Sequence, residues 1–99
     1  MKTLEQHIKE SWDETYRHHG YKELPWETVE PDKELVRILK QKKITKCKVL
    51  DIGCGAGTNS IFLAKNGFDV TGIDISPIAI SIAKVRAKEA GLEVRQGSW

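Results

Sequence analysis

The chain has 99 residues, which is enough for one small domain with a modest hydrophobic core. Its 16 lysines and arginines nearly balance its 14 aspartates and glutamates, so a net charge of +2 does not favour a nucleic-acid partner. No apolar run approaches the roughly 20 residues that span a bilayer, and we therefore predict no membrane partner.

The N-terminal part of the chain is predicted to be helical. An amphipathic helix is predicted over residues 3–19, and it begins with capping-box spacing between Thr3 and Gln6. Its apolar side chains recur at intervals of four and are expected to face the core: Leu4, Ile8, Trp12 and Tyr16. Residues 20–30 lack periodicity and contain a proline, which predicts a loop. A second helix is predicted over residues 32–42.

Strands and helices alternate after residue 46. In chain order we predict strand one at 47–52, a helix at 57–66, strand two at 69–74, a helix capped by Ser76 that runs to Ala90, and strand three at about 92–96. This alternation predicts an α/β fold, the front half of a Rossmann-like doubly wound parallel sheet with strand order 3-2-1, preceded by two N-terminal helices. On the last helix, we expect the outer face to be formed by Lys84, Arg86 and Lys88, and we assign these residues no function.

Strand one is apolar enough to belong in the middle of a sheet, yet this strand order leaves it at an edge. We therefore expect the 99 residues to be the front portion of a longer protein. Unpaired strand edges recruit other chains, so self-association through this open edge is predicted. Because we see no signal peptide, we predict a cytoplasmic protein with reduced thiols. No metal site is predicted, since zinc-ligand spacing is absent from His7, Cys47 and Cys54.

A loop with glycine at every second position follows strand one, over residues 53–57. Such a loop lets the backbone turn sharply and approach a ligand without a Cβ clash. Asp51 lies two residues before the loop, and Asp74 ends strand two. A glycine turn on one strand and an acid at the tip of the next predict a nucleotide-type site, in which the acid accepts hydrogen bonds from ribose hydroxyls.

The charge beside the loop distinguishes between possible ligands. A dinucleotide fingerprint would have its third glycine at position 58, where this chain has Thr58. Asp51 would oppose a pyrophosphate but would attract a cation, so S-adenosylmethionine is favoured over NAD. A non-catalytic nucleotide-binding or assembly module, an NAD-dependent oxidoreductase and a tight turn without a ligand remain alternatives.

Two segments resemble the motifs of class I S-adenosylmethionine-dependent methyltransferases: residues 49–57 resemble the first motif, and residues 70–76 resemble the second. The run Asn59-Ser60, with Leu63-Ala64 and Gly67, is similar to the tellurite-resistance methyltransferases. A further resemblance lies upstream. The leading segment of thiopurine-methyltransferase-like proteins is similar to the part of this chain that contains Trp12, Tyr16 and Pro25-Trp26.

The resemblance implies roles for individual residues. Asp51 would bind the methionine ammonium through water, and Asp74 would accept both ribose hydroxyls. Gly53 and Gly55 would bring the backbone to the methionine moiety, and Ile75 would pack on the adenine. Trp26 and Tyr16 would close over the sulfonium, where an aromatic face attracts a cation. The predicted cofactor site is completed by Cys54, expected to pack under the turn, and Asn59.

The resemblance also implies a function and a division of the chain. Residues 1–46 would form a helical segment and cofactor lid, and residues 47–99 a truncated S-adenosylmethionine-binding βαβαβ unit. The longer protein would transfer a methyl group to a small-molecule nucleophile, and the 99-residue chain alone would be inactive. No catalytic base is assigned. The acid that usually holds the adenine amino group after strand three has no counterpart before Trp99.

Overall fold

Seven helices and strands are seen in the computed structural model, which describes residues 1–18, 30–41 and 44–98. In chain order they are α1 (Leu4–His18), α2 (Lys33–Lys40), β1 (Lys48–Ile52), α3 (Thr58–Lys65), β2 (Asp69–Asp74), α4 (Pro77–Glu89) and β3 (Arg95–Ser98). The order and type of these elements confirm the prediction. None of the described helices combines the length and the apolarity needed to cross a bilayer.

Side-chain caps determine where the helices begin. The predicted capping box is present at α1, because the backbone N–H of Thr3 donates to Gln6 Oε1 at 2.8 Å and that of Gln6 donates to Thr3 Oγ1 at 3.1 Å. At α4, Ser76 Oγ accepts from the N–H of Ala79 at 3.1 Å, and Pro77 occupies the first turn. These local signals account for the agreement between predicted and observed helix starts.

The three strands of the described sheet are parallel and follow the order β1-β2-β3, which confirms the predicted order 3-2-1. Helix α3 connects β1 to β2, and α4 connects β2 to β3. The core beneath the sheet is built around Leu63, Phe68 and Val70. Partly buried side chains from both α2 and the strands pack against it: Leu35, Leu39, Val49, Ala64 and Val94.

The opposite face of β1 is exposed. Side chains alternate along a strand, so Val49 and Asp51 point toward the α3 side while Leu50 and Ile52 point away from it. Leu50 is 57% exposed and Ile52 is 67% exposed. Within the described residues β1 is also an edge of the sheet. An apolar face and an open edge therefore coincide on this strand.

The predicted start of β3 at residue 92 is wrong, because the strand begins at Arg95. Gly91 has a φ of 71° and turns the chain out of α4. The N–H of Leu92 then donates to the carbonyl of Ala87 at 3.0 Å. The amide of Leu92 is thus still bonded to the end of α4. Pairing with β2 begins only where Arg95 lies opposite Thr71.

The predicted apolar stripe of α1 is buried only near the C-terminal end of the helix. Tyr16 is 6% exposed and packs against Ala79 of α4. Trp12 was expected in the core, but it is 39% exposed, and its ring centroid lies 6.5 Å from that of Tyr16. Leu4 and Ile8 are exposed as well. The reason is that α1 packs mainly against α4, so its first turns extend beyond the described core.

Candidate functional site

The glycine loop is tied to the end of the neighbouring strand. The N–H groups of Gly53 and Cys54 both donate to the carbonyl of Ile73, at 2.8 and 3.1 Å. Since β1 and β2 are parallel, their carboxyl ends meet at one edge of the sheet. This is where ligands bind in open α/β sheets. The predicted loop and the predicted acid of strand two are thus brought together.

Asp74 links the two sequence motifs through its carboxylate. The N–H of Gly55 donates to Oδ2 at 2.9 Å, and the N–H of Ser76 donates to Oδ1 at 2.9 Å. Asp74 is 9% exposed, and both of these donors to its charge are backbone N–H groups. A carboxylate has about four acceptor sites, so these two bonds leave it capacity for further donors.

Asp51 is oriented by a buried hydroxyl. The Oγ of Ser60, in α3, donates to Oδ2 of Asp51 at 2.6 Å, and Ser60 is fully buried. Asp51 itself is half-buried. The bond fixes one carboxylate oxygen and places a negative charge beside the start of the glycine loop. The predicted pair of acids, Asp51 and Asp74, therefore stands on adjacent strands with the loop following directly.

The third glycine of the loop is required by packing against α4. Gly57 has a φ of 84°, in the left-handed region that favours glycine. A Cβ atom at this position would lie 3.0 Å from the Cβ of Ala83 and 3.4 Å from Nε2 of Gln96. Because Gly57 has no side chain, α4 can pack directly against the loop. This explains why the third glycine lies at position 57 and not at position 58.

Arg86 also contacts the loop, contrary to the expectation that it has no role beyond the outer face of its helix. Its Nη1 donates to the carbonyl of Ala56 at 2.7 Å and to Oγ1 of Thr58 at 3.0 Å. Lys84 and Lys88, on the same helix, are exposed as predicted. No local pattern in the sequence signals the contact of Arg86, because 30 residues separate it from Ala56.

Asp13 is a second residue that sequence reasoning missed. Its Oδ1 accepts from Ser76 Oγ at 2.6 Å and from the N–H of Ile78 at 3.3 Å. An acid on α1 therefore caps α4 together with Ser76. The same serine donates its N–H to Asp74, so the N-terminal helix is connected to the site by consecutive hydrogen bonds.

The remaining predicted site residues have varied surroundings. Cys54 is half-buried, and its Sγ lies against Gly72, as expected of a residue packed under the turn. Asn59 is half-buried, and its Oδ1 accepts from the N–H of Asp32 at 2.9 Å, which connects α3 to the start of α2. Ile75 is half-buried beyond the end of β2, and Tyr16 packs on α4. Trp26 lies outside the described residues, so its role stays a prediction.

Known proteins are similar to the part of the chain that forms the candidate site. A family described as "Methyltransferase domain" matches residues 49–98, a range that contains the glycine loop and Asp74. A curated relative, 2-heptyl-1-hydroxyquinolin-4(1H)-one methyltransferase from Mycobacteroides abscessus, is 31% identical over 93 residues. These residues are 90% of this chain and 40% of the relative.

Solved structures show the same likeness. A structure from work on the conversion of a disulfide bond into a thioacetal group during echinomycin biosynthesis has a TM-score of 0.83 and 35% identity, over 93% of this chain and 39% of that one. TehB from Haemophilus influenzae has a TM-score of 0.65 and 31% identity, over 75% and 25%. Magnesium protoporphyrin IX methyltransferase from Synechocystis, solved with bound S-adenosylhomocysteine, has a TM-score of 0.61 and 28% identity, over 69% and 32%. The chain spans 40% or less of the length of each.

Proposed function

Because the chain belongs to the methyltransferase-domain family of class I S-adenosylmethionine-dependent enzymes, we propose that it is the cofactor-binding part of an enzyme that methylates a small-molecule nucleophile. The resemblance seen in the two motifs is thereby confirmed, and S-adenosylmethionine is the cofactor of this family. The observation that carries the proposal for this chain is the pair of acids, Asp51 and Asp74, on adjacent strands beside a loop whose Gly55 is hydrogen-bonded to Asp74.

Asp51 is proposed to bind the methionine ammonium through water. S-adenosylmethionine carries an ammonium and a sulfonium and no phosphate, so a carboxylate beside the loop attracts it and opposes a pyrophosphate. The 2.6 Å bond from Ser60 supports this role, because it holds the carboxylate in one orientation. Gly53 and Gly55 would bring the backbone close to the methionine moiety, since neither has a side chain.

Asp74 is proposed to accept the two ribose hydroxyls. Its bonds from Gly55 and Ser76 use one acceptor site on each oxygen, and the second site on each oxygen would accept a hydroxyl. Ile75 follows directly and would pack against the adenine. This arrangement would couple ribose binding to the conformation of the glycine loop, because the same carboxylate contacts both.

The aromatic lid remains part of the proposal. Trp26, with Tyr16, would cover the sulfonium and attract it through the aromatic face. Cys54 and Asn59 would shape the site from beneath and beside the loop. The proposed division assigns residues 1–46 to this lid segment and residues 47–99 to the cofactor-binding unit.

The chemistry follows from the reactivity of the cofactor. S-adenosylmethionine supplies an electrophilic methyl group whose bond to sulfur breaks as the acceptor forms its own bond to the carbon. The residues described here would bind and orient this group, and orientation and proximity would provide most of the rate acceleration. The acceptor is proposed to be a small molecule, as the name of the Mycobacteroides abscessus relative indicates for that enzyme.

The proposal can be tested by calorimetric titration of three ligands into the chain. We expect binding of S-adenosylhomocysteine and of methylthioadenosine, which lacks the amino-acid part, and no binding of NAD. Asp51→Asn should weaken S-adenosylhomocysteine by roughly tenfold through loss of a charged hydrogen bond, and should leave methylthioadenosine unaffected. Preference for NAD would support the oxidoreductase alternative. Absence of binding by all three would support the non-catalytic assembly alternative.

The 99-residue chain by itself is proposed to be inactive. It spans 40% of the Mycobacteroides abscessus relative and 39% of the protein from echinomycin biosynthesis, and one face of its β1 strand is exposed. An acceptor pocket would need elements from the part of these relatives that the chain does not span. Purified chain should therefore give no methyl transfer to thiol, hydroxyl or selenol acceptors above the rate without protein. Turnover at a rate typical of enzymes would refute this part of the proposal.

Self-association is proposed for the isolated chain, with a second copy as the occupant of the exposed face. In the sheet formed by residues 44–98, β1 has no neighbouring strand on its outer edge, and Leu50 and Ile52 expose apolar surface beside that edge. Nucleic acid and membrane are not proposed as partners. The cytoplasm is the proposed location, where the thiols of Cys47 and Cys54 would stay reduced.

A further inference from the structure

Arg86 holds one peptide of the glycine loop from a distant helix. Its Nη1 lies 2.7 Å from the carbonyl oxygen of Ala56. On the other side of the same peptide, the N–H of Gly57 donates to the carbonyl of Cys54 at 2.9 Å. The Ala56–Gly57 peptide is therefore held at both its acceptor and its donor. Rotation of this peptide would break both bonds.

Burial makes the contact of Arg86 important to the loop. Ala56 is fully buried, so without Arg86 its carbonyl would lose a charged donor away from solvent. The second bond of Nη1, to Thr58 Oγ1 at 3.0 Å, joins the loop to the first residue of α3. One guanidinium nitrogen thus bridges the end of the loop and the start of the following helix.

The same helix contacts the site at both its ends. The residue that caps α4, Ser76, donates its N–H to Asp74, and Asp74 accepts from Gly55. Arg86, later in α4, donates to the residue after Gly55. Gly55 is consequently bounded by a carboxylate on one side and by a guanidinium-held peptide on the other.

We propose that Arg86 is a positioning residue of the cofactor site, which fixes the Ala56–Gly57 peptide and thereby keeps the loop in the conformation that receives the methionine moiety. The inference rests on the proposed function for its ligand. It assigns to Arg86 an effect on the local order of the loop that is separate from the overall stability of the fold. Lys84, which lies on the same helix and is exposed, provides the matched comparison.

The test compares Arg86→Ala, Arg86→Lys and Lys84→Ala in the full chain. Amide hydrogen exchange, followed residue by residue in the absence of ligand, should become roughly tenfold faster at Gly55 and Gly57 in Arg86→Ala, as expected for loss of a charged hydrogen bond. Exchange at Val70, in the core of β2, should stay unchanged. The dissociation constant for S-adenosylhomocysteine should rise by about tenfold.

Lysine keeps the charge without the planar fork, so Arg86→Lys should recover part of both effects, and Lys84→Ala should show neither. Unchanged exchange at Gly55 and Gly57 in Arg86→Ala would overturn the inference, as would faster exchange across the whole sheet or failure of both Arg86 variants to fold. Because the exchange measurement needs no ligand, a wild-type chain that does not bind S-adenosylhomocysteine would refute the proposed function and leave the effect of Arg86 on the loop separately measurable.

Discussion

The N–H of Gly55 lies 2.9 Å from Oδ2 of Asp74, and this bond joins two motifs that are 19 residues apart. The loop after β1 and the acid at the end of β2 are therefore one hydrogen-bonded unit. Asp74 has a structural role in the unliganded chain as well as its proposed role toward ribose. Its replacement should affect both folding and binding.

Asp74→Ala should lower the free energy of unfolding by roughly 1.5–3 kcal/mol, because two backbone N–H groups lose a charged acceptor. It should also weaken both S-adenosylhomocysteine and methylthioadenosine, since both carry the ribose. Urea denaturation and calorimetric titration measure the two effects. Asp69→Ala, an exposed acid in the same strand that pairs with Arg95, serves as the control and should change stability by no more than about 1 kcal/mol. Equal effects of the two substitutions would contradict the assignment of Asp74.

Ser60→Ala tests the orientation of Asp51. Loss of the 2.6 Å bond should weaken S-adenosylhomocysteine by roughly fivefold, since about 1 kcal/mol is typical of one hydrogen bond. Methylthioadenosine should bind as before, because it has no ammonium. Ser81→Ala is the matched control, as Ser81 is exposed and bonds only within α4 in the described contacts. Equal weakening of both ligands would argue that Ser60 supports the fold and not Asp51.

Gly57→Ala separates a conformational cost from a steric one. Both Gly57 and Gly91 have positive φ, so alanine at either position should cost about 1–2 kcal/mol. Only at Gly57 would the new Cβ meet Ala83, at 3.0 Å, which should add roughly 1–3 kcal/mol through overpacking. No heavy atom lies within 4 Å of the corresponding position at Gly91. Chemical denaturation of the two variants should therefore give clearly different midpoints, and identical midpoints would exclude the packing argument.

Asp13→Ala should loosen the contact between α1 and α4. The substitution removes the acceptor of Ser76 Oγ and of the Ile78 N–H, and caps of this kind contribute about 0.5–2 kcal/mol. Asp13→Asn keeps an acceptor oxygen and should retain most of the stability. Glu14→Ala, one residue away and exposed, should have little effect. A thermal melt of the three variants is sufficient, and a loss in Glu14→Ala as large as that in Asp13→Ala would count against the cap.

Ile52→Lys should convert a self-associating chain into a monomer. The side chain is 67% exposed on the open strand, and a charge at a sheet edge opposes edge-to-edge pairing. Val85→Lys replaces a similarly exposed apolar residue on α4, at 56%, and should leave the association unchanged. Light scattering at micromolar concentration reports the mass. A wild-type chain that is monomeric and melts cooperatively would disprove association through this face.

The order of the elements follows from signals that act over a few residues. Capping residues such as Thr3 and Ser76 and the alternation of strands and helices predict where most elements begin. The strand order follows from the right-handed crossover, which is a general property of parallel strands. The glycine spacing and the two acids likewise indicate the candidate site. Glycine lets the backbone approach a ligand, and the carboxylates carry negative charge, wherever these residues lie in the fold.

The tertiary structure alone decides which side chains hold the site in place. Arg86 reaches Ala56 across 30 residues, and Asp13 reaches Ser76 across 63, and periodicity carries no information over such separations. The exposure of Trp12 and the late start of β3 have the same origin, since each depends on which surface or strand lies opposite. Local signals in the sequence determined the helices and strands, and residue types determined the chemistry of the candidate site. The contacts that orient its side chains form only when the helices and strands pack together.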